Sequence, residues 1–419
     1  MTFGLYIHIP YCRSICPYCA FATAPLHHAE PARFLAALDR ELQAARAADG
    51  PWARPVTLYV GGGTPTALDA ATLRRFLAWL HAAFDLSALR EWTVEANPEG
   101  LTDEKLEILL EAGVGRLSLG VQSLEATVLK SLGRIHSAEK ALDAIERARR
   151  AGFGRVSADL IVAVPGETED GIARGVTEIV ERGVTHLSAY SLQVEPNTPF
   201  AAKVARGALA PPGDDAAADR YALLDSLLLA RGFRHYEVSN YAIPGFESRH
   251  NEGYWMRRPY LGLGPGAHSF EGSRRWANEH DTRRYLERVE QVGLPRDDVV
   301  TLDARDAAEE EVFLALRRDR GMRWSRLRAL AGAAADGWVA WGVEAGALRV
   351  DPPGRVRPTA RGLLTSHEMS SELFVRMGRH GGGPGLTPPS PLVASAPIST
   401  VGFRVPVLDA DPNDRTRRS

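Results

Sequence analysis

Three cysteines within eight residues are the feature of this sequence with the clearest chemical potential. Cys12, Cys16 and Cys19 are spaced as C-x3-C-x2-C, and they are the only cysteines among the 419 residues. A cubane iron–sulfur cluster has four irons, and each iron takes a thiolate in the common four-cysteine sites. Three cysteines can hold such a cluster and leave its fourth iron open to another ligand. The spacing therefore predicts a [4Fe–4S] cluster with one exchangeable coordination position.

Other uses of three clustered cysteines are a disulfide, a structural zinc site or a redox pair. An odd number of cysteines and an expected reducing compartment argue against a disulfide framework. Structural zinc takes four ligands, and the nearest further donor, His8, falls inside a predicted strand with no second ligand pair following it. A redox C-x2-C pair has no need of Cys12. Zinc and redox chemistry stay open as the less favoured interpretations.

Short β-rich runs alternate with longer helical patterns over the first 190 residues. This alternation predicts a parallel sheet covered by helices, and six βα units are too few for a closed eight-unit barrel. We therefore expect an α/β fold built on a partial TIM-type barrel of six βα units. The predicted strands are Leu5–Ile9, Thr57–Val60, Trp92–Glu95, Arg116–Gly120, Val156–Val162 and His186–Tyr190. The predicted helices include Pro31–Ala47, Ala70–Ala83 and Ala138–Ala151.

The loops that follow the predicted strands carry the remaining candidate site residues. The cysteines come directly after the first strand, and parallel barrels place their active sites on such loops. The second strand leads into Gly61-Gly62-Gly63-Thr64, where glycine lets the backbone approach a ligand closely. A tight turn is the alternative, and a phosphate-binding loop is not indicated because no Gly-Lys-Ser/Thr follows. Glu95 ends the third strand at the same edge and suits a positively charged ligand or the hydroxyls of a sugar.

Composition limits the classes of function to consider. Apolar residues make up 45% of the chain and the formal net charge is −2, so a general polyanion binder is not indicated and no nucleic-acid partner is expected. The first residues lack the basic start and cleavage site of a signal peptide. No run of about 18 apolar residues exists to cross a membrane. We expect a cytoplasmic protein whose only membrane contact is peripheral, through partners.

Four segments are predicted along the chain. Residues 1–200 form the partial barrel, and residues 201–295, richer in Gly, Pro and aromatics, elaborate it. Residues 296–377 return to a helical pattern that ends in a short strand pair and a helix, which suits a small, winged-helix-like domain. Residues 378–419 are rich in Gly, Pro and Ser without apolar periodicity, which predicts a disordered tail.

With its cysteine spacing and glycine-rich loop, the chain resembles the radical-SAM superfamily. The resemblance implies that the open iron binds the amino and carboxylate groups of S-adenosylmethionine. One electron from the cluster would then cleave the sulfonium and release a 5′-deoxyadenosyl radical. The positions that match cofactor contacts of the superfamily, or lie near them, are Tyr6, Tyr18, Gly62, Gly63, Thr64, Glu95, Gln122, Arg134, Asp159 and His268.

Within the superfamily, residues 1–375 resemble the group of oxygen-independent coproporphyrinogen III oxidases and HemW-type haem chaperones. The matching segments are YIHIP before the cysteines, GGGTPT, EANPE, GVQS and GRIHS. Two departures separate the chain from the oxidases: Phe21 stands where they carry a further cysteine, and the chain begins five residues before Tyr6, without their N-terminal extension. These departures favour the chaperone branch.

One further segment resembles that branch in particular. His250-Asn251-Glu-Gly-Tyr254-Trp255 matches its HNxxYW motif. A structural loop with an aromatic anchor is the alternative interpretation of these residues. The resemblance implies haem as a cargo, contacted by His250, Tyr254 and Trp255 and delivered to haem-requiring respiratory proteins. It also implies an electron donor for the cluster and is compatible with a homodimer. The alternatives are radical decarboxylation of coproporphyrinogen III and, less favoured, a radical methyl transfer.

Overall fold

The structure, a computed structural model, describes residues 2–378. The predicted disordered tail lies outside the described residues, apart from Gly378 at its start. The seventeen strands of the described part are β1 (Phe3–Ile9), β2 (Tyr11–Cys12), β3 (Ala24–Pro25), β4 (Pro55–Gly62), β5 (Glu91–Ala96), β6 (Arg116–Gln122), β7 (Arg155–Val162), β8 (His186–Ser191), β9 (Arg234–Glu237), β10 (Asn240–Ala242), β11 (Tyr260–Leu263), β12 (His268–Glu271), β13 (Arg274–Asn278), β14 (Arg296–Thr301), β15 (Met322–Arg323), β16 (Leu348–Asp351) and β17 (Arg355–Pro358).

The same residues form fifteen α-helices, and short 3₁₀ turns connect some of the elements. The α-helices are α1 (Pro31–Asp49), α2 (Ala70–Ala83), α3 (Asp103–Glu111), α4 (Ala126–Ser131), α5 (Ala138–Ala151), α6 (Glu169–Glu181), α7 (Pro199–Ala205), α8 (Asp214–Ala230), α9 (Arg249–Trp255), α10 (Thr282–Val292), α11 (Ala304–Ala315), α12 (Trp324–Ala331), α13 (Ala334–Glu344), α14 (Ala360–Leu364) and α15 (Ser366–Arg376).

A single open sheet of twelve strands organises the molecule, in the order β14-β13-β12-β11-β1-β4-β5-β6-β7-β8-β10-β9. The six strands predicted from sequence are β1, β4, β5, β6, β7 and β8, and each pairs in parallel with its neighbour. The predicted partial α/β barrel is therefore confirmed. Because parallel strands point the same way, the loops after all six strands meet at one end of the barrel, which we call the top.

Local sequence signals explain where the barrel helices begin and end. Asp69 caps α2 by accepting from the Thr72 N–H at 2.8 Å, and Ser137 caps α5 in the same way. Each such cap stabilises its helix by about 1 kcal/mol. Gly152 ends α5 with φ of 111°, a conformation that glycine adopts without strain. The helices then bury their apolar faces on the strands in one large core.

A seventh parallel strand was missed by the sequence analysis. β11 pairs in parallel with β1, through Leu5 and Leu261 among others, although the two strands lie more than 250 residues apart. It is only four residues long and precedes a glycine-rich turn, so the segment appeared to be an elaboration of the barrel. The antiparallel strands β12, β13 and β14 extend the sheet beyond it, as far as Thr301.

The C-terminal helices surround a second, smaller core. Trp338 is fully buried there and donates from Nε1 to the Met369 carbonyl at 2.9 Å, and Val312, Leu327 and Leu373 pack in the same cluster. Besides the predicted strand pair, β16 and β17, the two-residue strand β15 adds a third member to the small antiparallel sheet. This arrangement agrees with the predicted helical, winged-helix-like part. Across residues 2–378, no helix combines the length and the apolar character that a membrane crossing requires.

Candidate functional site

The cysteine loop lies at the top of the barrel between β2 and β3. These two short strands pair so that Cys12 faces Pro25, and the Cys19 N–H donates to the Cys16 carbonyl at 3.0 Å. Cys12 is buried, while Cys16 and Cys19 are partly exposed. Burial raises the pKa of Cys12 to about 11 and that of Cys19 to about 12. A metal must therefore displace protons to form thiolate bonds here.

The three thiols lie close enough to influence one another electrostatically. Within residues 2–378, no three His, Cys, Asp or Glu side chains converge on a single ion position. A cubane does not require that convergence, because each cysteine binds a different iron of the cluster. The arrangement thus fits a cluster with three protein ligands.

A hydrogen-bonded chain of side chains joins two of the cysteines through the loops of neighbouring strands. Cys12 Sγ lies 3.6 Å from Thr64 Oγ1, which accepts from Asn97 Nδ2 at 2.9 Å. Asn97 Oδ1 in turn accepts from Arg134 Nη2 at 2.7 Å, and Arg134 Nη1 donates to Cys16 Sγ at 3.4 Å. A guanidinium in this position stabilises negative charge on the sulfur. Of these residues, Asn97 was not singled out from the sequence.

The glycine-rich loop is built so that side chains cannot replace its hydrogens. A Cβ atom on Gly61 would lie 2.6 Å from the Glu95 carboxyl group, and one on Gly62 would lie 2.4 Å from the His8 ring. Gly62 also has φ of 104°. The Gly62 and Gly63 N–H groups donate to Glu95 Oε2 and to the Ile9 carbonyl. What the loop can offer to a ligand is therefore carbonyl oxygen, which is an acceptor suited to the N–H bonds of an amino group.

Two half-buried carboxylates face the interior of the barrel near this loop. Glu95 accepts from Tyr59 OH at 2.6 Å, and Asp159 accepts from Ser118 Oγ at 3.3 Å. Burial, reinforced by the charge of Asp159, raises the pKa of Glu95 to about 7, and burial raises the pKa of Asp159 to about 6. A bound cation would offset both the desolvation and the mutual repulsion. The pair therefore fits a positively charged ligand.

A buried tyrosine and histidine connect the first strand to the end of the cysteine loop. His8 Nε2 lies 2.8 Å from the Ala22 carbonyl, and His8 Nδ1 lies 3.1 Å from Tyr6 OH. Burial lowers the pKa of His8 to about 4, so its ring is neutral and holds these two contacts near neutral pH. His268 begins β12 and also lies near His8. Burial is the main cause that lowers the pKa of His268 to about 4, and the charge of Arg275 adds to it.

The last two predicted cofactor contacts lie on neighbouring loops of the same end. Tyr18 packs against an apolar cluster that includes Ile161 and Tyr190. Gln122 ends β6 with φ of 65°, a left-handed conformation that costs a non-glycine residue about 1 kcal/mol or more and is found most often at functional sites. The structure thus brings nine of the ten predicted S-adenosylmethionine positions to the upper part of the barrel. The tenth, Tyr6, lies lower inside the barrel, level with Tyr59, where it is buried and contacts His8.

The HNxxYW segment lies elsewhere, at the opposite end of the strands. His250 is 2% exposed, and its ring nitrogens lie 2.9 Å from Thr57 Oγ1 and 2.8 Å from Tyr254 OH. Its backbone N–H donates to Glu91, the first residue of β5. Thr57 and Gly62 are five residues apart on β4, which corresponds to roughly 16 Å. In this arrangement both ring nitrogens of His250 are engaged within the protein.

The other two residues of the motif also contact the protein interior. Tyr254 packs edge-on against Tyr260 with ring centroids 4.6 Å apart. Trp255 packs with Val238, Phe313 and Leu314, so it joins the barrel to helix α11. The segment therefore packs at the bottom of the barrel and attaches helix α11 to it.

Comparison with known proteins agrees with this geometry. A model of the radical SAM superfamily matches residues 6–176. The haem chaperone HemW of Mycobacterium tuberculosis is 42% identical over 331 residues, covering 78% of this chain and 84% of that protein. The haem chaperone HemW of Bacillus subtilis is 37% identical over 335 residues, covering 79% and 88%. Among solved structures, coproporphyrinogen III oxidase (HemN) from Escherichia coli superposes with a TM-score of 0.76 at 23% identity, covering 88% of this chain and 89% of that one.

The open parallel barrel and the three-cysteine loop at its top define a radical-SAM fold and site. The oxidase structure shares the fold but only about a quarter of the residues, so this comparison supports the fold and not the function. The HemW relatives share more than a third of their residues over most of their length. The chain therefore belongs to the HemW haem-chaperone family of the radical-SAM superfamily.

Proposed function

We propose that this protein is a haem chaperone that binds haem and delivers it to haem-requiring proteins, respiratory enzymes among them. The observation that carries the proposal is the 42% identity to a haem chaperone over 84% of that relative. The motif from His250 to Trp255 and the absence of a fourth cysteine at Phe21 support the same choice. An electron donor for the cluster and a homodimeric assembly belong to the proposal as well.

The top of the barrel is the proposed site of the cluster and of S-adenosylmethionine. Cys12, Cys16 and Cys19 would hold three irons, and the cofactor on the fourth iron would supply radical chemistry once the cluster is reduced. The carbonyl oxygens of Gly62 and Gly63 would accept from the N–H bonds of its amino group.

Charge and shape assign roles to the remaining residues around the cofactor. Glu95 and Asp159 offer negative charge to its cationic part, while Tyr18 presents an aromatic face to adenine. Arg134 would stabilise the thiolate of Cys16. Tyr6, Thr64, Gln122 and His268 complete the proposed contacts.

The competing function is oxidative decarboxylation of coproporphyrinogen III. A direct comparison separates the two: the anaerobically reconstituted protein is incubated with haem and, separately, with coproporphyrinogen, S-adenosylmethionine and a reductant. We expect stoichiometric haem binding and no change in porphyrinogen mass. A product lighter by two carboxyl groups, formed over multiple turnovers, would overturn the chaperone proposal.

The cluster assignment is tested on the same preparations. We expect about four irons per chain and broad thiolate-to-iron absorption, both lost in Cys16→Ala because no other cysteine exists to replace the missing ligand. A stable, complete cluster in Cys16→Ala would contradict the assignment. Equal uptake of zinc without an iron–sulfur spectrum would favour the zinc interpretation instead.

A further inference from the structure

A large cleft opens beside the end of the HNxxYW segment, away from the cysteine loop. Its volume is about 1060 Å³, which is enough for a ligand larger than most metabolites. One wall is the end of α9 and the residues that follow it, including Trp255 and Met256. The opposite wall is formed by α11, β15, α12 and β17. The cleft thus lies between the bottom of the barrel and the C-terminal helices.

The lining of this cleft is strongly cationic. The residues that line it include one acidic residue, Glu311, and six arginines. The arginines are Arg257, Arg258, Arg318, Arg323, Arg326 and Arg355. An excess of this size concentrates positive potential in a concave surface and favours an anionic ligand. Arginine in particular presents a planar fork of donors that matches a carboxylate.

Some of these charges are already used inside the protein. Arg257 pairs with Glu310 at 2.6 Å and Arg326 pairs with Glu311 at 2.6 Å. Arg355 donates to the Gly321 carbonyl at 3.3 Å. By contrast, Arg258 and Arg323 are exposed, and neither forms an ion pair with another residue in the described part of the chain. The sixth arginine, Arg318, lies 3.6 Å from the Glu252 carboxylate, so Arg258 and Arg323 carry the two guanidinium groups that are left to meet a ligand.

The same cleft also has an apolar part. Trp255, Met256, Ala315 and Met322 contribute to its walls, and Met322 is only 7% exposed. A fitting ligand therefore has a flat or bulky apolar body and carboxylates at one edge. Haem has this character, with an apolar macrocycle and two propionates. The thioether sulfur of the half-exposed Met256 is of a kind that can ligate haem iron, while Met322 belongs to the small C-terminal core and contributes only an apolar surface.

We propose that haem binds in this cleft, with its propionates on Arg258 and Arg323 and its macrocycle against Met256 and Met322. The inference rests on the proposed haem-chaperone function and specifies the place where the cargo is held. It separates the cargo site from the cofactor site by the length of the barrel strands. It also gives the HNxxYW segment a part in haem binding without ligation by His250, because α9 forms one wall of the cleft.

Haem titration of the full-length, cluster-containing protein tests this placement. The test variant is the double substitution Arg258→Glu and Arg323→Glu, and the matched control is Arg283→Glu, an exposed arginine on α10 outside the cleft. We expect at least tenfold weaker haem binding in the double variant and less than a twofold change in the control. Cluster absorption should be the same in all three proteins.

A second ligand keeps the test decisive if the double variant folds poorly. Haem dimethyl ester has uncharged side chains in place of the propionates, so the wild-type protein should bind it at least tenfold more weakly than haem. Equal affinity for haem and the ester, or unchanged haem binding by a folded double variant, would overturn the placement of haem in this cleft and leave the chaperone proposal intact. A wild-type protein that binds no haem would overturn the chaperone proposal itself.

Discussion

His250 Nδ1 lies 2.9 Å from the hydroxyl of Thr57, at the opposite end of β4 from the glycine-rich loop. The strand that positions Gly62 beside the cysteine loop therefore also anchors the HNxxYW segment, but on the other side of the barrel. A histidine held in this way, with Tyr254 OH on its second nitrogen, supports the fold at the base of the barrel. The placement changes what substitution of His250 should do.

Replacing His250 with alanine should destabilise the protein without removing a haem ligand. The substitution leaves a cavity and deprives Thr57 and Tyr254 of a buried partner, so we expect the free energy of unfolding to fall by about 2–4 kcal/mol. Urea unfolding measures this loss, and His28→Ala, at an exposed histidine, should change stability by less than about 0.5 kcal/mol. A Soret band lost from His250→Ala with its stability unchanged would identify His250 as the ligand after all.

Gly62 offers a sharp test of the loop at the top of the barrel. A methyl group there would collide with the His8 ring at 2.4 Å, and the residue's φ of 104° disfavours any L side chain. Gly62→Ala should therefore distort the loop at a cost of about 1–3 kcal/mol and weaken S-adenosylmethionine binding at least tenfold, as measured by calorimetry. Gly154→Ala is the matched control, because a Cβ there meets nothing within 4 Å. Equal binding by both variants would show that the loop does not contact the cofactor.

The contact between Arg134 and Cys16 should tune the reduction potential of the cluster. The guanidinium stabilises negative charge on the sulfur, and that charge grows when the cluster gains an electron. Arg134→Gln should therefore lower the potential by a few tens of millivolts, since about 1 kcal/mol of differential stabilisation corresponds to roughly 43 mV for one electron. Spectroscopic redox titration measures the shift, and Arg147→Gln, which removes a surface ion pair with Asp103, should leave the potential unchanged. A higher potential in Arg134→Gln would contradict the assigned role.

The sequence predicts the barrel well because each of its strands and helix starts is specified by residues that are close together in the chain. Each of the six central strands is a short β-rich run, and Asp69 and Ser137 mark the starts of α2 and α5. The cysteine spacing likewise lies within one loop. None of these features depends on a contact with a distant part of the chain.

Features that depend on contacts between distant residues could not be predicted from local sequence patterns. β11 pairs with β1 across more than 250 residues, and its four residues carry too weak a pattern to identify alone. Asn97 gains its role only because Thr64 and Arg134 arrive on both sides of it. The only sequence signal for Asn97 is its place directly after a strand, before Pro98. His250 was a candidate haem contact through its HNxxYW motif, with a structural loop as the alternative, and its buried partners at the base of the barrel favour the structural role.

S-adenosylmethionine binding should strengthen as the pH rises through 7. Burial and the nearby charge of Asp159 raise the pKa of Glu95 to about 7, so this carboxyl group is mostly protonated at pH 6 and mostly ionised at pH 8. Because the cofactor's sulfonium is positively charged, it binds best to the ionised form. A site with this pKa gains at most about tenfold in affinity between pH 6 and pH 8. Asp159, whose pKa is about 6, completes its own ionisation over the lower part of this range.

Comparison of the wild-type protein with Glu95→Gln isolates the contribution of this carboxyl group. The amino group of the cofactor titrates identically with both proteins, so it cancels in the ratio of their dissociation constants. The neighbouring hydroxyls of Tyr6 and Tyr59 stay neutral, because burial raises the pKa of each well above its usual range. We expect calorimetry to show the ratio of dissociation constants, variant over wild type, growing about tenfold from pH 6 to pH 8. Glu107→Gln, at an exposed position of α3, should follow the wild-type profile. A ratio that stays constant across this range would show that Glu95 is ionised throughout or does not face the cofactor.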